Sequence, residues 1–168
     1  ASTPAAGKVE VTAADGKTET HDAANILIAT GAKSRPMPGF PFNGTTVIGS
    51  KEAMTLEKQP KSVIVIGAGA IGIEFAYFFN AYGTKVTVVE MLPNILPVED
   101  TEVSQTLEKS LTKAGIRILT NTKVTGTSED GKSVKITVEG AATETLEADV
   151  ALVAIGVAPA SDDLAGLR

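Results

Sequence analysis

Three glycines and one acidic residue have the types and the spacing that could hold a phosphate group. The segment GAGAIG places the glycines at Gly67, Gly69 and Gly72, and Glu90 follows the next apolar run. Between a strand and a helix, the first glycine permits a tight turn, the second lets a pyrophosphate approach the backbone, and the third lets helix and strand pack closely. Free amides and the helix dipole at the helix start favour phosphates. The pattern predicts a dinucleotide site, and its alternative is a purely structural turn.

Glu90 bears on which dinucleotide is bound. A carboxylate accepts a hydrogen bond from a ribose 2′-hydroxyl but repels a 2′-phosphate. Met91, Leu92 and Pro93 come next, with no arginine nearby. NAD is therefore favoured over NADP, and the alternative is an ordinary surface glutamate after a strand.

The surrounding segments alternate as strands and helices. Residues 63–66 are a β-branched run typical of a strand buried on both faces, and residues 85–89 and 116–119 predict two more strands. The first helix starts at Ala70 and stops at Gly83, with the apolar stripe Ile71, Phe75, Phe78 and Tyr82. The second is capped by Asp100 or Thr101 and closed by Gly115, with the stripe Val103, Leu107, Leu111 and Ala114. This βαβαβ order predicts a parallel sheet with helices on its faces.

The flanking segments have the period of antiparallel strands. The segment KVEVTAADGKTETH predicts a meander with a turn at Asp15-Gly16, and residues 26–29 predict a short buried strand. The prolines and glycines of SRPMPGFPFNG predict a linker that is neither helix nor sheet. A second meander runs through residues 134–138, with turns at Asp130-Gly131 and Gly140, before a final buried strand at residues 150–155.

The composition excludes several kinds of chemistry. A chain of 168 residues, 43% of them hydrophobic, suits one domain, or one domain with attached pieces of another. A net charge of −5 argues against nucleic-acid and anionic-membrane partners. With no cysteine and one histidine, the chain has no disulfide, thiolate nucleophile or histidine metal cluster. The absence of a long apolar run and of a signal-peptide pattern predicts a cytoplasmic or organelle-matrix location.

Much of the chain resembles the flavin-dependent pyridine nucleotide-disulfide oxidoreductases. The family's NAD-binding domain is similar to GAGAIGIEFAYFFNAYGTKVTVVE, LPVEDTEVSQTLEKSLTKAGIRILTNTKVTG and DVALVAIG. The strand that ends the first part of its FAD domain is similar to ILIATGAKSRPMPG. The resemblance implies part of an FAD domain plus linker in residues 1–59, an NAD-binding domain in residues 60–157 and a connecting tail in residues 158–168. The expected α/β fold is a Rossmann-like parallel sheet with a βαβαβ core and an inserted antiparallel meander, preceded by a meander and strand from an adjacent FAD-type domain.

The resemblance also implies roles for particular positions. Glu74 would lie near the nicotinamide amide, the backbone of Val124 would meet the adenine, and Gly156 would let the last strand approach the nicotinamide end. Their alternatives are a solvated helix residue, a plain strand residue and a strand-ending glycine. The residues that would cradle the pyrophosphate and approach the nicotinamide ribose are Gly67, Ala68, Gly69, Ala70, Ile71, Gly72, Ile73 and Glu74. The turn that would touch FAD in the complete protein is formed by Thr30, Gly31 and Ala32.

Two observations limit what the resemblance implies. The family commonly continues AIG with Arg-x-Pro-Asn, whereas Val157 and Ala160 stand at the arginine and asparagine positions here. The family's flavin site, redox-active cysteine pair and partner-subunit histidine-glutamate base have no counterpart in this chain, and His21 is expected to be solvated. We therefore expect a segment of a longer homodimeric enzyme, associated by resemblance with a 2-oxo acid dehydrogenase complex, that binds NAD but is inactive alone.

Three functions stay open at this point. The first is the NAD domain of an enzyme that oxidises a dithiol and reduces NAD. The second is the same domain of an NADH oxidase or another flavin-dependent NADH reductase. The third is a nucleotide-binding module that does not catalyse. A closely spaced cysteine pair upstream in the parent sequence would favour the first, and a single active cysteine the second.

Overall fold

The computed structural model describes residues 1–161. They divide into two compact units, one of Ala1–Lys33 with the segment from Ala158 onward, the other of Ser34–Val157. The elements, in chain order, are β1 (Ser2–Ala5), β2 (Lys8–Thr12), β3 (Thr18–Asp22), β4 (Ala32–Ser34), β5 (Val47–Ile48), α1 (Ser50–Ala53), β6 (Ser62–Ile66), α2 (Ala70–Ala81), β7 (Lys85–Val89), α3 (Thr101–Lys113), β8 (Arg117–Leu119), β9 (Lys123–Glu129), β10 (Val134–Glu139), β11 (Thr143–Ala148), β12 (Val150–Val153) and β13 (Val157–Pro159).

The first unit contains the predicted amino-terminal meander. Strands β1, β2 and β3 form an antiparallel sheet in that order. Val9 pairs with His21, and Gly16 in the intervening turn has a φ of +83°. The buried strand predicted for residues 26–29 is wrong, because no strand is assigned there and Leu27 is 91% exposed. An apolar run becomes a strand only where a neighbour satisfies its backbone groups, and β1, β2 and β3 pair only among themselves.

The second unit is built on a five-stranded sheet in the order β5-β12-β6-β7-β8. Every pairing in it is parallel; Val65 of β6, for example, pairs with Leu152 of β12 and with Val88 of β7. The three central strands, β12, β6 and β7, are rich in valine and isoleucine and are almost fully buried, as expected for a sheet covered on both faces. The α/β class and the parallel sheet are confirmed.

The two faces of this sheet pack against different layers. On one face, buried residues of α1, α2 and α3 join alternate strand residues in a core that includes Val65, Ile73, Phe79 and Leu111. On the other face, the antiparallel meander β9, β10 and β11 supplies a second core. The predicted antiparallel meander is therefore confirmed, and the structure adds that it covers one face of the sheet. In its β9–β10 turn, the backbone amides of Ser133 and Lys132 lower the pKa of Asp130.

The predicted apolar stripe of α2 is the wrong face of the helix. Its buried residues are Gly72, Ile73, Ala76 and Phe79, whereas Phe78 is 49% exposed and Tyr82 more so. The helix is apolar on nearly every side, so spacing alone could not select the packed face. The small residues Gly72 and Ala76 decide it, because they let the helix lie close to the sheet.

The start of α3 matches its prediction. Asp100 is the N-cap, and its carboxylate accepts hydrogen bonds from the amides of Glu102 at 2.8 Å and Val103 at 3.4 Å. Leu111 of the predicted stripe is buried, whereas Val103 is exposed. Gly115, at a φ of +98°, closes the helix as predicted.

The segment predicted as a linker that is neither helix nor sheet forms no helix or strand after Ser34, as expected, but it is packed. Phe40 is 3% exposed and lies in the second core with Val47. Asn43 Oδ1 accepts hydrogen bonds from the amides of Thr45, Thr46 and Val47, which leads the chain directly into β5. The short elements β5 and α1 were not predicted, because a two-residue edge strand and a one-turn helix carry no readable period. None of the helices in residues 1–161 has the length and apolar character needed to span a bilayer.

Candidate functional site

The turn between β6 and α2 requires glycine for steric reasons. Gly67 has a φ of +98°, and its amide donates to Val89 O of the neighbouring strand at 2.8 Å. A Cβ on Gly67 would lie 2.5 Å from the carbonyl oxygen of Ala154, the residue after β12. A Cβ on Gly72 would overlap the carbonyl oxygen of Gly67. Because the first and third glycines have no side chain, β6, α2 and the end of β12 can approach one another to van der Waals contact.

Gly69 differs from the other two glycines of the turn. It is the N-cap of α2, in an extended conformation, and a Cβ built on it would meet no atom within 4 Å. Ile73 N donates to Gly69 O at 3.0 Å, which starts the helical hydrogen bonds. The preceding amides of the first turn, at Ala70 and Ile71, have no acceptor within the helix. Because Gly69, Ala70 and Ile71 reach the surface, these amides and the helix dipole face an open cradle that fits an anionic group.

Glu90 lies immediately after β7 and is bound to this turn. The side chain is buried, at 7% exposure. Its Oε2 accepts a hydrogen bond from Ala68 N at 2.7 Å, and its Oε1 accepts one from Leu92 N at 2.9 Å. The carboxylate therefore fixes the middle of the glycine turn relative to the chain that follows β7. Sequence reasoning predicted the position of Glu90 but not this contact, which rules out an ordinary surface glutamate.

The backbone around Glu90 connects the turn to β9. Thr122 N donates to Glu90 O at 2.9 Å, and Leu96 N donates to Ala68 O at 2.8 Å. Val124 follows two residues after Thr122, is half-buried, and pairs with Val138 at a register shift in the meander. The structure therefore brings the predicted ribose residue, Glu90, close in space to the strand that carries Val124.

Gly156 lies beyond β12, at the same edge of the sheet. It has a φ of +111°, is exposed, and a Cβ on it would meet no atom within 4 Å. Its carbonyl accepts a hydrogen bond from Arg35 N at 3.0 Å, and the carbonyl of Val157 accepts one from Arg35 Nε at 3.0 Å. Arg35 was missed by sequence reasoning, since no local pattern could connect it with a turn 122 positions away.

Glu74 lies on the flank of α2 and is exposed. Together with Ala53, Met54, Phe75 and Phe78 it borders an apolar surface groove of about 440 Å³. The hydrogen bonds that connect Glu90 to the turn do not involve it. The nicotinamide role of Glu74 therefore stays a prediction.

The remaining predicted residues belong to the first unit. Thr30, Gly31 and Ala32 are exposed, and Gly31, at a φ of +79°, accepts a hydrogen bond from Ala160 N at 2.9 Å. His21 is exposed on β3, 3.6 Å from a carboxylate oxygen of Glu19. Over residues 1–161, no group of three or more histidine, aspartate or glutamate side chains is placed to hold a metal ion.

Three of the predicted site residues therefore lie beyond the carboxyl ends of parallel strands. Gly67 follows β6, Glu90 follows β7, and Gly156 follows β12. The chain runs from β6 outward to β7 and β8 and then returns to β12 on the other side of β6, so the strand order switches between β6 and β12. Ligands of open α/β sheets bind at such a switch point.

The sequence matches that of known oxidoreductases. It is 46% identical over 158 residues to dihydrolipoyl dehydrogenase from Chlorobaculum tepidum, a match that covers 93% of this chain and 34% of the relative. It is 48% identical over 139 residues to dihydrolipoamide dehydrogenase from Chaetomium thermophilum, covering 80% of this chain and 28% of the relative. The chain spans about a third of the length of the curated relatives it matches.

Solved structures give the same result. A crystal structure of LpdA from Mycobacterium tuberculosis superposes with a TM-score of 0.83 at 32% identity, over 98% of this chain and 36% of that protein. The flavoprotein disulfide reductase RclA from Escherichia coli superposes with a TM-score of 0.80 at 29% identity, over 97% of this chain and 36% of that protein. The family model for pyridine nucleotide-disulphide oxidoreductases matches residues 1–167. The chain belongs to the pyridine nucleotide-disulphide oxidoreductase family.

Proposed function

We propose that residues 60–157 form a Rossmann-type NAD(H)-binding domain of a flavoprotein disulfide oxidoreductase. The observation that carries this proposal is the glycine turn at the carboxyl end of β6, with the open cradle at Gly69 and the unpaired first-turn amides of α2. A pyrophosphate fits there because backbone donors and the helix dipole face the same space, in which a Cβ on Gly69 would meet no atom of residues 1–161.

The strand order sets the direction in which the dinucleotide would lie. With the pyrophosphate above β6, one half of the ligand extends over β7 and the other over β12. The adenosine half belongs over β7, where Glu90 and the strand carrying Val124 lie. The nicotinamide half then extends over β12, toward Gly156.

Glu90 supports NAD over NADP in this arrangement. Each oxygen of the Glu90 carboxylate accepts one hydrogen bond from a backbone amide. A carboxylate oxygen has two lone pairs and can accept a second hydrogen bond. The carboxylate can therefore still receive a ribose 2′-hydroxyl, whereas a 2′-phosphate would place two negative groups together in a poorly solvated position.

The first 59 residues are proposed to belong to the adjoining FAD domain and its linker, and residues 158–168 to a connecting tail. The family resemblance supports this assignment, and it would place Thr30, Gly31 and Ala32 beside FAD in the complete protein. The connecting tail after residue 161 lies outside the described residues.

The activity proposed for the parent protein is that of a dihydrolipoyl dehydrogenase, which oxidises dihydrolipoamide to lipoamide and reduces NAD. Identities of 41–48% to proteins of that name support it. NAD would supply the hydride acceptor, while this chain's residues bind and orient it. A homodimeric parent, a 2-oxo acid dehydrogenase complex as its partner, and a cytoplasmic or organelle-matrix location are proposed by resemblance alone.

A second candidate is a related flavoprotein disulfide reductase with another substrate. The superposition with RclA at a TM-score of 0.80 supports it, as does the departure from the common family pattern at Val157 and Ala160. Assay of the complete parent protein separates the two candidates: dihydrolipoamide-dependent NADH production favours the first, and its absence in a folded, flavin-loaded parent favours the second.

Calorimetric titration of the chain with NADH and with NADPH tests the binding proposal. NADH should bind more tightly than NADPH. Glu90→Ala should narrow the ratio of the two affinities, while Glu139→Ala, which removes an exposed carboxylate on β10, should leave it unchanged. Equal affinity of the unchanged chain for both nucleotides would contradict the role given to Glu90.

The inactivity proposed for the chain alone has its own test. With dihydrolipoamide, NAD and added FAD, the 168-residue chain should form NADH no faster than buffer does. Turnover above that background would mean that the chain contains reactive groups that we have not identified.

A further inference from the structure

Arg35 joins the packed segment after β4 to the turn that follows β12. We infer that Arg35 is a positioning residue, which fixes the Gly156–Val157 turn so that its backbone receives the nicotinamide half of the dinucleotide. This inference rests on the proposed function, and it adds a residue that governs one half of the ligand.

The contact is made twice from the same residue. The backbone amide of Arg35 donates to Gly156 O, and its Nε donates to Val157 O, each at 3.0 Å. Two donors on one residue therefore bind two successive carbonyls, which fixes the orientation of the intervening peptide as well as its position. The guanidinium is planar, so the Nε bond also sets the plane in which its remaining N–H groups lie.

The side chains of the turn do little to hold it in place. Gly156 has no side chain, is exposed, and at a φ of +111° has space around its Cα. A glycine in such a position loses more conformational freedom on ordering than any other residue. Val157 is also exposed, so apolar packing contributes little. The two hydrogen bonds from Arg35 therefore add a restraint on the backbone that the side chains of the turn do not supply.

The residues on either side make the restraint effective. Pro36 follows Arg35 and disfavours a helical conformation at Arg35, so its backbone is preset in the extended form. On the other side, Ala154 N donates to Ile66 O at 2.7 Å, and Ala154 O lies against the Cα of Gly67. The turn bound by Arg35 thus begins two residues after the contact between β12 and the glycine turn.

The position of the turn explains why only one half of the ligand should respond. In the strand order β12-β6-β7, Gly156 lies on the opposite side of β6 from Glu90. Loosening Gly156 should therefore weaken contacts to the nicotinamide and leave those to the adenosine and pyrophosphate intact. If the charge of Arg35 instead acted by attracting phosphates, its removal would weaken the binding of any ligand that contains the pyrophosphate, with or without the nicotinamide.

The test compares NADH with ADP-ribose, which has the adenosine and the pyrophosphate but no nicotinamide. Calorimetric titration of Arg35→Ala should show NADH affinity reduced about three- to tenfold, the range expected for one lost hydrogen bond, with ADP-ribose affinity within about twofold of the unchanged chain. Arg35→Lys should behave in the same way, because it keeps the charge but has no Nε donor.

Arg117→Ala is the matched control. It removes the same charge from the amino end of β8, where Arg117 pairs with Glu144, and it should change neither affinity. The inference would be overturned if the Arg35 variants lost affinity for NADH and for ADP-ribose equally, or if their affinity for NADH were unchanged. If Arg35→Ala does not fold, Arg35→Lys decides by the same two outcomes.

A measurement without ligand separates this inference from the proposed function. Amide exchange followed by NMR should be several-fold faster at residue 35 in Arg35→Lys than in the unchanged chain, and unaltered at Gly67. Faster exchange in a chain that binds neither nucleotide would mean that the restraint is real and the proposed function is wrong. Unaltered exchange at residue 35 would overturn the restraint itself.

Discussion

The carboxylate of Glu90 accepts a hydrogen bond from the backbone amide of Ala68 at 2.7 Å. A residue at the end of β7 therefore fixes the middle of the turn that leaves β6. The group expected to select the nucleotide also shapes the loop that holds its phosphates. Substitutions intended to change nucleotide preference at this position should consequently alter stability as well.

Glu90→Ala should lower the free energy of unfolding by about 1–3 kcal/mol, because the amide of Ala68 loses its buried acceptor. Urea denaturation followed by circular dichroism measures the change. Glu139→Ala, on the exposed side of β10, should stay within about 0.5 kcal/mol of the unchanged chain. Equal stability of the two variants would mean that the contact with Ala68 contributes nothing.

Gly72→Ala and Gly69→Ala should differ in their effect on stability. A Cβ at position 72 would overlap Gly67 O, so that variant should lose at least about 1–3 kcal/mol of unfolding free energy. A Cβ at position 69 meets open space in an allowed conformation, so Gly69→Ala should stay within about 1 kcal/mol. Thermal and urea unfolding of both variants check this order, and a reversed order would contradict the geometry of the turn.

The buried face of α2 can be tested with two neighbouring phenylalanines. Phe79 is 4% exposed and Phe78 is 49% exposed. Phe79→Ala should cost about 3–5 kcal/mol, the range for emptying a buried aromatic site. Phe78→Ala should cost about 1 kcal/mol, since it removes mainly ring contacts with Phe79 and Tyr82 on a half-exposed side chain. Similar losses in urea titrations would contradict this packing, and a larger loss for Phe78→Ala would mean that the helix is packed on the other face.

Asp100→Ala should destabilise the chain by about 1 kcal/mol without affecting the nucleotide site. The carboxylate of Asp100 caps α3 through the amides of Glu102 and Val103, and alanine offers no acceptor. Asp100→Asn should restore most of the loss, because its amide oxygen is also a good cap. NADH affinity measured on all three proteins should be the same, and a selective loss in Asp100→Ala would contradict the separation of α3 from the site.

The parts of the fold and of the site that the sequence could predict are those that local chemistry determines. The order of strand, glycine turn and helix can be predicted from a short continuous segment. The cap at Asp100 depends on one side chain and on the amides two and three residues after it. Gly67 and Gly72 require glycine for contacts that any such turn makes, so their spacing was informative.

The parts that could not be predicted depend on contacts distant in sequence. Arg35 contacts a turn 122 positions later in the sequence. Phe40 of the proline-rich segment lies in a core with residues of β10, which come more than ninety positions later. The packed face of α2 is set by what Gly72 and Ala76 approach, not by the distribution of apolar residues. The strand predicted for residues 26–29 is wrong because a strand-like composition is not enough without a neighbouring strand to pair with.

The central claim is that the glycine turn binds a dinucleotide through the backbone at Gly69. The most direct test is calorimetric titration with NADH of the unchanged chain and of Gly69→Ala. The account predicts saturable one-to-one binding to the unchanged chain, and at least about a tenfold loss in the folded Gly69→Ala variant, since a Cβ there blocks the approach of the pyrophosphate. Absence of binding to the unchanged chain, or undiminished binding to a folded Gly69→Ala, would contradict it.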